Sequence, residues 1–88
     1  MLTVEMLSKI PHHARLVIRC FDGVDAYSGR MQFRDYIGHI AAYDDTHISF
    51  LRDATANGLR PEEMVSIPLD AVARIKPIPE RPVMSPHN

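Results

Sequence analysis

The chain has 88 residues, 45% of them hydrophobic, and its ten basic and eleven acidic residues leave a formal charge of −1. That length makes one small domain, burying only about 60 to 65% of its unfolded surface, so a second core is excluded, and near-neutrality excludes the strong positive field of a nonspecific nucleic-acid binder. The single Cys20 excludes an internal disulfide and a cysteine-rich zinc site, and no apolar run approaches the ~18 residues of a membrane helix.

In chain order, TVEMLSKI sets Val4, Leu7 and Ile10 at spacings of three, with Thr3 to cap and Pro11 to stop a short helical turn. The N-terminus lacks the basic head and long apolar segment of a secretion signal, which predicts a cytoplasmic chain. ARLVIRCFDG alternates, with Leu16, Ile18 and Cys20 on one face and Arg15, Val17, Arg19 and Phe21 on the other. It predicts a first strand that Asp22-Gly23 breaks, and it makes Cys20 a buried thiol. VDAYSGRMQF, residues 24–33, has no clean period and predicts a long excursion loop.

RDYIGHIAAY reads as a second strand with Ile40 and Ala42 inward, in which Gly38 marks a sharp bend or a close backbone approach. Asp44-Asp45-Thr46 turns the chain by side-chain capping, and HISFLRDA returns as a third strand with Ile48 and Phe50 inward. Asn57-Gly58 and Pro61 mark an exposed connection before EMVSIPL, a fourth strand with Val65, Ile67 and Leu69 on one face and Pro68 at an edge or end. Asp70-Ala71-Val72 makes one tight turn. ARIKPI is a short fifth strand with Ile75 inward, after which prolines at 77, 79, 82 and 86 end regular pairing.

Residues 1–12 are thus expected to form a helical turn, 13–79 the domain and 80–88 an extended tail. Five short strands, a bent second strand and a one-turn helix before the last predict an all-β fold. The expectation is a five-stranded SH3/Sm-like small barrel, whose closure limits exposed edges.

GHIAAYDDTHISFL resembles the first Sm motif through Gly38, Ile40 and Asp44, which implies the barrel. Sm proteins read an RNA base with an asparagine after the turn, where this chain has Ile48, and SIPLDAVARI replaces the arginine and glycine of the second motif. The resemblance therefore argues against Sm-style base recognition. Across residues 14–82, ARLVIRCFDG, RDYIGHIAAYDDTHISFL and VSIPLDAVARIKPIPERP together resemble the small SH3-like module at the N-terminus of actinobacterial GNAT-type acetyltransferases. They also resemble short actinobacterial proteins made of that module alone. In the fused enzymes the catalytic domain follows the proline-rich exit, so the resemblance implies a module without its enzyme and carries over no catalytic residue. The chain departs from the family in longer segments before strands two and four, where features particular to it are expected.

His12 and His13 are adjacent and point oppositely if extended, and His39 and His47 lack a third ligand nearby in sequence, so no metal is expected. Asp44 and Asp45 read as turn formers rather than acid/base groups. Ser28-Gly29-Arg30 is not a phosphate loop, and Pro79 to Pro82 gives a PxxP spacing in the tail. No cofactor, membrane partner or enzymatic activity is expected.

What remains is a candidate interaction surface of Arg19, Phe21, Tyr27, Met31, Phe33, Arg34 and Tyr36. Apolar groups on an irregular loop cannot all reach one core, which favours a protein partner, a second copy included. The alternative is nucleic acid, bound by Arg15, Arg19, Arg30 and Arg34 with Phe21, Phe33 and Tyr36 for stacking. Asp22, Asp25 and Asp35 in the same region oppose it. Residues 22–35 and the proline-rich tail are both candidates for the binding element.

Overall fold

The structure is a computed structural model that describes residues 2–11, 13–55 and 57–79. A short helix, α1 (Val4–Ser8), precedes five strands: β1 (Leu16–Val24), β2 (Met31–Tyr43), β3 (His47–Arg52), β4 (Glu63–Pro68) and β5 (Val72–Pro77). A 3-10 turn, Leu69–Ala71, joins the last two. The strands form one antiparallel sheet in the order β4-β3-β2-β1-β5. The expected five-stranded all-β domain is present. Among the described residues no ladder joins β4 to β5, so the two edge strands are linked by the 3-10 turn and not by barrel-closing hydrogen bonds. No helix among the described residues is long and apolar enough to cross a membrane.

Alternation in β1 builds the core directly. Leu16, Ile18 and Cys20 are buried, as are Ile48 and Phe50 of β3, Ile67 of β4, Leu69 of the 3-10 turn and Leu7 of α1, and these residues form one cluster. The helix is only five residues long, too short to be stable alone. It is held by Leu7 in that cluster and by Thr3, whose side chain accepts from the Met6 amide at 3.2 Å.

Gly38 explains how β2 serves two partners. A Cβ at this position would run into the Leu51 carbonyl oxygen and the Leu51 carbonyl carbon. Only a glycine lets β2 and β3 approach this closely, at the point where β3 begins to pair with β2 (Gly38 opposite Arg52).

Three expectations about the strands need correction. Residues 24–33 are not a loop: β1 continues to Val24, β2 starts at Met31, and only residues 25–30 turn the chain. Asp22-Gly23 does not end β1 but forms a bulge, since Phe21 pairs with Phe33 while Val24 pairs with Met31. Gly23 adopts φ 101°, which side-chain-bearing residues rarely reach, so the strand absorbs the extra residue and goes on. Ala42 is exposed rather than inward, because a second register shift between Ile40 and Ala42 turns the end of β2 over. His12 and the tail from residue 80, which holds all of the PxxP segment beyond Pro79, lie outside the described residues.

Candidate functional site: the outer face of the β1–β2 hairpin

β5 stops pairing with β1 at Cys20, and β3 pairs with β2 only from Gly38 onward. The segments Phe21–Val24 and Met31–Phe33 therefore pair with each other alone and extend past the rest of the sheet as a two-stranded ribbon. Such a ribbon is marginal by itself. Its turn is fastened by Asp25, whose carboxylate accepts from the Ser28 hydroxyl at 2.6 Å and from the amides of Tyr27 and Ser28, both at 3.3 Å. These bonds hold the Asp25 carboxyl below its ordinary pKa, the Ser28 hydroxyl contributing most.

Directly paired residues share a face, so register assigns the side chains. The outer face of the hairpin carries successive rows: Val24 with Met31, Phe21 with Phe33, Arg19 with Asp35, and Val17 with Ile37. Strand β5 extends the last two rows, setting Arg74 beside Arg19 and Lys76 beside Val17. The rings of Phe21 and Phe33 meet edge to face, centroids 6.4 Å apart at 76°, and both stay more than two-fifths exposed. Val24 and Met31 are exposed as well, and Tyr27 at the tip is 99% exposed. A bulge at Gly23 decides this arrangement. Without the extra residue, Val24 would fall on the opposite face from Phe21.

The seven expected surface residues consequently do not form one surface. Arg19, Phe21, Met31 and Phe33 lie on the outer face, and Tyr27 lies at the tip. Arg34 and Tyr36 lie on the inner face, paired with Cys20 and Ile18, and Tyr36 packs against the core. Alternation along β2 separates Met31 and Phe33 from Arg34 and Tyr36, a signal that an expected loop over residues 24–33 conceals.

Charge on this hairpin is largely compensated. Arg19 donates through Nε and Nη2 to the two carboxylate oxygens of Asp35, at 2.9 and 3.1 Å. The bond from Arg19 is the main reason the Asp35 carboxyl sits below its ordinary range. On the inner face Arg34 lies 3.5 Å from Asp22. The Tyr36 hydroxyl, and then Asp22, raise the Arg34 guanidinium further. Arg15 donates to Asp53 at 3.0 Å and to the Pro79 carbonyl at 3.1 Å, tying β1 to the chain after β3 and after β5.

Sequence inspection missed Arg74 and Lys76. With Arg19, Asp35 and Val17 they line a cleft of about 220 Å³ that combines one apolar side chain, three cations and one carboxylate. No motif marks those two residues; only the β1–β5 register brings them beside Arg19.

The remaining titratable groups are dispersed. His39 Nδ1 is 3.9 Å from Asp53, whereas His47 Nδ1 is 3.0 Å from the Thr46 hydroxyl at the far end of β3. Asp44 accepts from the amides of Thr46 and His47, each at 2.8 Å, which depresses its pKa and makes it the expected turn former. Cys20 is buried, and burial followed by Asp35 and Asp22 raises its thiol. Among the described residues no three His, Cys, Asp or Glu side chains converge to hold a metal ion.

No curated protein and no solved structure matches the chain. A family covers nearly all of it: residues 4–86 match, and the chain therefore belongs to the family described as Domain of unknown function (DUF6725).

Proposed function

We propose that the protein is a non-catalytic interaction module that docks a protein partner on the outer face of the β1–β2 hairpin. The observation that carries this reading is the exposed strip Val24, Met31, Phe21 and Phe33 on a ribbon that contributes nothing to the buried cluster. Apolar side chains held in register on a projecting element have no folding role that accounts for them, and covering them with a partner removes their apolar area from water. The small SH3-like module that the sequence resembles fits the same role.

Nucleic acid is the second reading, and the cluster of Arg19, Arg74 and Lys76 next to the Phe21 row is what favours it. Against it stand the two-pronged Arg19–Asp35 pair and the Arg34–Asp22 pair, which cancel much of the local field.

The test is capture from native lysate on the immobilised protein, with and without nuclease, alongside the variant Phe21→Ser/Phe33→Ser. A defined protein retained after nuclease by the parent and lost by the double variant is the expected result. Material lost on nuclease treatment, with steep salt dependence, would replace this reading with the second. Equal retention by parent and variant would remove the hairpin face from consideration.

A further inference from the structure

We infer that the partner of the hairpin's outer face is a second copy of this chain, the two hairpins crossing antiparallel so that Tyr27 of each enters the Val17–Arg19–Arg74–Lys76 cleft of the other. The inference rests on the docking reading above and adds the identity of the occupant.

Spacing supplies the first argument. The rows of the outer face follow one another every two residues, and Val17–Ile37 lies two rows from Phe21–Phe33, about 13 Å along the strand. In the other direction Val24–Met31 lies one row away, and Tyr27, in the turn beyond it, lies about one row farther. The Phe21–Phe33 row is therefore midway between the tip and the cleft. A two-fold axis through that row stacks the aromatic pairs of the two copies and lays Val24–Met31 over the stems of the Arg19–Asp35 pair. It also brings each Tyr27 to the cleft of its mate. Every contact occurs twice, as a closed two-fold dimer requires.

Chemistry supplies the second argument. The cleft offers an apolar side chain at Val17 and cations at Arg74 and Lys76, with Arg19 already committed to Asp35. That combination suits the face of an electron-rich ring with a polar end, which Tyr27 is. At 99% exposure, Tyr27 gains nothing from its own fold. Its turn is nevertheless rigidly built by Asp25 and Ser28, so the ring is presented at a fixed place with little entropy to lose. A footprint of roughly 30 by 15 Å on each copy lies below the size of standard specific interfaces, in the range of weak, reversible association.

The experiment is sedimentation velocity of the full chain from 1 to about 500 μM, a range chosen to bracket such an affinity, with Tyr27→Ala and Arg74→Ala/Lys76→Ala. The parent should pass from monomer to dimer, and each variant should weaken the dimer at least about tenfold. An equimolar mixture of the two variants should associate more tightly than either alone, because one of its two Tyr27–cleft contacts is intact. All three substitutions are on exposed residues, and thermal unfolding identifies any that perturbs the fold. A parent that stays monomeric throughout overturns the inference, as does a dimer indifferent to both variants or a mixture that shows no recovery. A monomeric parent that still retains a Phe33-dependent protein from lysate overturns self-association while leaving the docking reading standing.

Discussion

The two halves of β2 have similar alternation and different fates. From Gly38 to Tyr43 the strand pairs with β3, and its inward side chain Ile40 packs on the cluster around Phe50 and Ile48. From Met31 to Phe33 it pairs with β1 alone, and its apolar side chains face solvent. Alternation makes a strand in both places. What differs is whether a third element lies close enough to cover one face, which depends on where the neighbouring strands stop. Apolar surface that the core does not claim is available for a partner.

The contrast is broken or sharpened first by Phe50→Ala against Phe33→Ala in urea unfolding. Phe50 is fully buried, and its truncation should cost about 3–5 kcal/mol. Phe33→Ala should cost less than about 1 kcal/mol, mostly its edge-to-face contact with Phe21. Equal losses would place the ribbon in the same cooperative unit as the core.

Gly38→Ala should cost about 2–3 kcal/mol, since a methyl group meets the backbone of Leu51 and must push β2 and β3 apart. Gly23→Ala meets no neighbouring atom, yet it forces φ 101° on an alanine. It should cost about 1–2 kcal/mol within the ribbon. Hydrogen exchange is the readout: amides of residues 31–33 should quicken while those of β3 do not.

The smallest effect is acid dependence. Asp25, Asp35 and Asp44 are all held below their ordinary pKa by hydrogen bonds in the folded chain. Their contribution is fully present above the unfolded value of about 3.9 and is lost as pH falls through the lower folded values. Asp44→Asn keeps an acceptor but has no carboxylate to protonate there, so its stability should fall less than the parent's between neutral pH and strong acid. A steeper acid limb in the variant would contradict the assignment.

Much of this was legible beforehand. Thr3 as cap, the buried face of β1, the Asp44 turn, Ile48 and Phe50 inward and the close approach at Gly38 each follow from local chemistry or a two-residue period. The failures share one cause. At Asp22-Gly23 and near Ala41, strands carry an extra residue, and a bulge costs so little that the residue types do not distinguish it from a break. The candidate site suffered most, because a break at Asp22-Gly23 makes residues 24–33 a loop and hides the alternation that sets Met31 and Phe33 on the face opposite Arg34 and Tyr36.

By itself the sequence determined the all-β character, the strand count and most of the core, because burial selects apolar side chains at the strand period within each short segment. Only the tertiary structure decided that Val24, Met31, Phe21 and Phe33 share one exposed face, and that Arg74 and Lys76 stand beside Arg19. Those facts depend on register and bulges, which backbone hydrogen bonding between strands distant in sequence fixes and which no single segment encodes.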